Sequence, residues 1–159
     1  MTLFEKTYKL LNKSTPLPVD CGQLCEGACC KGEEEAGMLL FPGEEVLFTN
    51  KQGFEIIYTD YVLPSGFVVK LLLCNEACQR DERPLACRIF PLMGFVDEDG
   101  EIEVKIDPRA VIVCPLAMVG LEEGITTEFI LKVKKTFEIL MKDPRCEEFI
   151  KIMTAQLDF

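Results

Sequence analysis

Within the ten residues Cys21-Gly-Gln-Leu-Cys25-Glu-Gly-Ala-Cys29-Cys30, four side chains are thiols. Core packing needs no cysteine at that density, so this stretch constrains the chain more than any other. A second thiol-rich stretch follows: Cys74-Asn-Glu-Ala-Cys78, then Arg83-Pro-Leu-Ala-Cys87-Arg-Ile-Phe-Pro-Leu, with Cys114-Pro beyond it. Eight cysteines thus fall in three segments, with three i, i+4 spacings and one vicinal pair. The ninth, Cys146, lies on a stripe with Phe149, Ile150 and Met153 at i, i+3, i+4, i+7 and reads as an ordinary small core residue.

Composition decides what such a set of thiols is for. There is no histidine, which excludes mixed Cys/His zinc sites, HExxH enzymes and Ser-His or Cys-His catalytic pairs. No phosphate-binding glycine loop occurs. An odd number of cysteines, nine, argues against a disulfide framework, and in a reducing cytoplasm such bridges do not persist. The first twenty residues lack the features of a signal peptide, and the longest greasy stretch, from Ala110 to Leu121, is interrupted by Pro115. A cytoplasmic location is therefore expected. With 27 acidic against 17 basic side chains and a formal charge of −10, the surface repels nucleic-acid backbones and anionic membranes, so neither is expected as a partner.

Soft all-sulfur coordination selects zinc or an iron–sulfur cluster over magnesium or calcium. The expected ligands are Cys21, Cys25, Cys29, Cys30, Cys74, Cys78, Cys87 and Cys114. Eight thiolates suit two mononuclear zinc sites, one binuclear site with bridging sulfur, or a cubane cluster with thiols to spare. The pairs Cys21/Cys25 and Cys74/Cys78 are natural two-ligand halves. Cys29 and Cys30 diverge on most backbones and could serve different ions, leave one sulfur unligated, or close a vicinal disulfide. Four thiolates leave zinc with a net charge of about −2, and buried charge needs partners. Arg83 and Arg88, flanking Cys87, are the candidates for donating hydrogen bonds to sulfur. Pro84 and Pro91 fix loop shape. A structural zinc contributes roughly 10–16 kcal/mol in small zinc-finger peptides, against about 2–4 for a disulfide, so an ion is the stronger staple.

The pattern of Cys21, Cys25, Cys29-Cys30, Cys74, Cys78, Arg83-Pro84, Cys87-Arg88, Phe90-Pro91 and Cys114 resembles the YkgJ-like cysteine-cluster family of zinc- or iron-chelating domains. The likeness covers residues 21–114. The family's name-giving motif has two residues between successive cysteines where this chain has three. The resemblance implies an eight-cysteine metal site. A similar module occurs in flagellin lysine methylases, but no cofactor fingerprint for methyl transfer is present here.

The length of 159 residues fits one domain, spanning 1–159, that can bury roughly two-thirds of its unfolded surface. Phe4, Tyr8 and Leu11 predict a helix over 3–13, ended by Pro16 and Pro18. Residues 31–37 form a charged loop, and Glu44-Glu45 open a short helix, as the helix dipole prefers. Strands are predicted over 54–58 and 67–73, with a hairpin over 95–97 and 102–106 around Asp99-Gly100. A further strand is predicted over 111–113. Thr126 or Thr127 caps a long helix that Asp143-Pro144 stops, and a last helix starts near 145. The fold class is α+β: a small antiparallel sheet, helices at both ends of the chain, and a loop-rich cysteine centre. Three functions fit: a zinc protein with a structural or metal-carrier role, acting alone or through a protein partner; an iron–sulfur protein in electron transfer or serving an enzyme; or a metalloenzyme, against which the lack of a histidine base weighs.

Overall fold

The structure, a computed structural model, describes residues 2–12, 14, 37–74, 82–110 and 124–157. The expectations for Pro16, Pro18, residues 31–36 and residues 111–113 lie outside the described residues, as do Cys21, Cys25, Cys29, Cys30, Cys78 and Cys114.

Helix α1 spans Leu3–Leu11. Thr2 opens it reciprocally: its hydroxyl accepts from Glu5 N–H at 3.2 Å, while its own N–H donates to the Glu5 carboxylate at 2.7 Å. Phe4, Thr7 and Leu11 are buried, and Tyr8, on the stripe its spacing predicts, packs against the same core. Tyr8 is only partly buried and makes a polar contact described below.

Strands β1 (Met38–Leu39), β2 (Phe54–Val62) and β3 (Val68–Cys74) form an antiparallel sheet in the order β1-β3-β2. The turn Pro64-Ser65-Gly66 joins β2 to β3, with Gly66 at φ +95°. The register shifts between Tyr58 and Val62. There the Thr59 hydroxyl donates to Val69 O at 2.6 Å and accepts from Tyr61 N–H at 3.1 Å, replacing part of the interrupted ladder. A short helix, α2 (Leu85–Ile89), follows, then β4 (Leu92–Val96) and β5 (Ile102–Ile106), which pair as a separate hairpin. The described strands therefore form two small sheets where the sequence predicts one. Pro84 cannot donate to a ladder, and the chain beyond it coils into α2 instead of extending. The Phe90–Pro91 peptide bond is cis.

Helices α3 (Thr127–Leu140) and α4 (Pro144–Leu157) complete the chain. Thr126 is the cap of α3, accepting from Phe129 N–H at 3.3 Å. Asp143 ends the connection and opens α4 by accepting from Arg145 and Cys146 N–H, with Pro144 at the first helical position. The main core joins Phe129, Val133, Phe137 and Leu140 of α3 to Leu92 and Phe95 of β4, Ile102 and Val104 of β5, and Phe149 and Ile150 of α4. Phe41 bridges two of these elements, packing edge-to-face on Phe137 and on Phe149 with centroids 5.8 and 5.3 Å apart. A smaller cluster of Leu40, Phe48 and Leu72 sits behind the first sheet.

Candidate metal centre

Cys74 is the last residue of β3, the central strand of the first sheet, where it pairs with Phe54 and is exposed. Cys87 is the middle residue of α2 and is half-buried. Neither is sealed into the core. Cys74 ends a strand and Cys87 sits within a helix, so strand and helix geometry fixes their backbones. The other six expected ligands lie outside the described residues. Among the described residues, no three Cys, Asp or Glu side chains gather closely enough to hold a metal ion.

Cys146 has the opposite character. It is fully buried in α4, and its thiol donates to Pro42 O at 3.4 Å. Burial, helped by the nearby Asp143 carboxylate, pushes its pKa up to about 12. A thiol held protonated and shielded is a poor nucleophile. Cys146 is therefore expected to resist iodoacetamide in the folded protein and to react only after denaturant is added. Alkylation at the rate of a free thiol, read by peptide mass spectrometry, would contradict the packing described here.

The two arginines beside Cys87 are both buried. Arg88 donates from Nε to Arg83 O at 2.7 Å, closing the turn that leads into α2. Its guanidinium lies 4.2 Å from the centroid of the Tyr8 ring, a cation–π contact with α1. These contacts give Arg88 a visible role in holding α2 against α1.

The side chain that sequence patterning does not single out is Glu44. It stands at the start of a 3-10 turn, Glu44–Leu47, where its acidity suits the helix dipole, yet it is fully buried. Its Oε1 accepts from Phe41 N–H at 3.2 Å, and its Oε2 accepts from Leu85 N–H at 2.7 Å and from the Tyr8 hydroxyl. Burial raises the Glu44 pKa from the ordinary carboxylate value, opposed by these three donors and by the positive charge of Arg88. The Tyr8 hydroxyl is held protonated by its own burial and by the Glu44 carboxylate. No local signal marks Glu44: the adjacent Glu45 pairs instead with Lys70 at 3.3 Å, half-buried.

A 260 Å³ cavity is lined by Ala86, Ile89 and Phe90 with Met38, Met93 and Met153. Its polar edge is the Asp107–Arg109 ion pair, closed at 2.7 Å. No helix among the described residues is long and apolar enough to cross a membrane. No known protein family, curated protein or solved structure matches the chain.

Proposed function

We propose that this is a cytoplasmic metal-binding protein whose all-cysteine centre holds zinc, in a structural or metal-carrier role. One observation carries the proposal: eight thiols concentrated in three segments of a chain that has no histidine. The described thiols differ in a way that supports this reading. Cys74 and Cys87 lie outside the core on ordered elements, while the cysteine that patterning leaves out, Cys146, is buried within it. The resemblance to the YkgJ-like domains points the same way.

Cys21, Cys25, Cys29, Cys30, Cys74, Cys78, Cys87 and Cys114 would hold the ion or ions. Bound zinc would supply a rigid, redox-inert junction between segments far apart in sequence. Arg83 and Arg88 provide positive charge next to Cys87 to offset a thiolate-rich centre.

Anaerobic purification followed by elemental analysis tests the proposal. A colourless protein carrying one or more zinc ions per chain is the expected result. A brown protein containing iron and sulfide would replace zinc by an iron–sulfur cluster, and a metal-free protein with all thiols titratable would end both readings. Changing Cys21, Cys25, Cys74, Cys78 or Cys87 singly to serine should lower the metal-to-protein ratio and the melting temperature. The same change at Cys146 should leave the ratio untouched.

A further inference from the structure

Helix α2 is too short to hold itself together. Five residues make little more than one turn, far below the length at which a helix persists alone in water. Its first amides have no partner inside the helix, and the residue ahead of it, Pro84, offers no side-chain cap. Cys87 and Arg88 N–H both turn back to Pro84 O, at 3.0 and 3.1 Å. The opening amide, Leu85 N–H, is taken instead by Glu44, forty-one residues earlier in the chain, at 2.7 Å.

Glu44 is itself fixed from two further directions. Phe41 N–H holds Oε1, and the Tyr8 hydroxyl from α1 shares Oε2 with Leu85. The two backbone donors thus lie on different oxygens. Only a side chain with two acceptor atoms satisfies both; an amide of the same shape would turn an NH2 group toward one of them. On the other flank, Arg88 rests on the Tyr8 ring, so the same tyrosine meets α2 directly at Arg88 and through Glu44 at Leu85.

We propose that Glu44 is the positioning residue of the cysteine centre: it anchors the first turn of α2 to α1 and thereby sets where Cys87 presents its sulfur. The inference rests on the metal-binding reading given above, because it concerns how one ligand of that centre is held. Glu44 needs no contact with the metal. It acts two residues from Cys87 through the helix backbone.

The test uses the full-length, metal-loaded chain. Glu44→Gln keeps the size and removes one acceptor. Val133→Ala, in the core of α3, serves as a variant destabilised elsewhere. Metal release to a chromogenic chelator should be about 10-fold to 100-fold faster in Glu44→Gln than in the wild type, the range found when groups supporting a metal ligand are removed. Val133→Ala should lower the melting temperature yet release metal at close to the wild-type rate. Equal release rates in Glu44→Gln and the wild type would overturn the proposal, as would a Val133→Ala variant that loses metal just as fast. Should Glu44→Gln not fold, Tyr8→Phe removes one donor and keeps the ring beneath Arg88. A smaller acceleration is then expected, and an unchanged rate counts against the anchor.

Amide exchange separates this idea from the reading beneath it. In chain stripped of metal, Glu44→Gln should still speed exchange at Cys87 and Arg88 selectively. A wild-type protein that binds no metal but shows that selective effect would sink the metal centre and leave the anchor standing. Metal-loaded protein without the effect would do the reverse.

Discussion

Replacing Gly94 by alanine is expected to lower the stability of the domain by about 3 kcal/mol, although the added group is a single methyl. Gly94 lies in β4 directly beneath α3. A Cβ built there would sit 2.4, 2.6 and 2.7 Å from three atoms of the Phe137 ring, closer than real carbon contacts come. Phe137 cannot step aside cheaply, because it is fully buried and braced edge-on by Phe41, which is braced in turn by Phe149. Two effects compete. Alanine restricts the unfolded chain and so would stabilise by about 0.4–1 kcal/mol at a site that accepts it. Overpacking a dense core costs about 1–3 kcal/mol, occasionally more, and three simultaneous clashes with an immobile ring place this site at the upper end. Sterics win.

At roughly 2–4 °C per kcal/mol for a chain of this size, the melting temperature should fall by about 6–12 °C. Combining Gly94→Ala with Phe137→Leu should cost less than the two changes added separately, because the smaller side chain yields the space the methyl needs. A single variant that melts within about 2 °C of the wild type, or strictly additive changes, would show that β4 and α3 do not meet as described.

Gly94 also shows why only part of the fold is legible from sequence. The Thr126 cap, the Asp99-Gly100 turn and the alternation of Ile102 and Val104 are local signals, and each has its expected place in the structure. The hairpin arm predicted to begin at residue 95 in fact begins at Leu92. Pro91 and Gly94 both suppress a strand signal, and the reason Gly94 belongs there is a ring forty-three residues further on. Helix α2, at five residues, is shorter than any window in which helical periodicity can be seen. Strand β1 has two residues and exists through its pairing with β3.

The site divides along the same line. That the cysteines fall into a dense set and one core member is written in spacing alone, and the burial of Cys146 follows its stripe. The fates of Glu44 and Glu45 are not written anywhere local. Adjacent and chemically identical, one takes three donors in the interior and the other pairs with Lys70. Only tertiary structure separates them, since the donors come from α1, from the turn before Glu44 and from α2. Tyr8 packs against the core as its helical spacing predicts, but spacing carries no sign of the Glu44 carboxylate that its hydroxyl meets.

If the cysteines hold zinc as proposed, stripping it should produce the other large effect, and its form matters as much as its size. A zinc held by thiolates contributes roughly 10–16 kcal/mol in small peptides, comparable with the whole stability of an ordinary domain at about 5–15. If every element of this fold depended on the ion, chelation would unfold all of it. The described core argues for a different outcome. The main cluster joins α3, α4, β4 and β5 through side chains that belong to none of the expected ligands. These elements should persist without metal, while the end of β3 at Cys74 and the short helix around Cys87 lose their restraint. At a metal concentration a thousandfold above the dissociation constant, binding stabilises by about 4 kcal/mol, which corresponds to a fall of roughly 8–16 °C in melting temperature on chelation. Most of the helical circular dichroism should remain at 25 °C. Amide exchange should accelerate at residues 72–74 and 85–89 and stay slow in α3, and added zinc should restore both the melting temperature and the protection. Identical melting curves with and without chelator would remove the ion from the stability of the fold, and loss of α3 together with α2 would show that the apolar core does not stand without it.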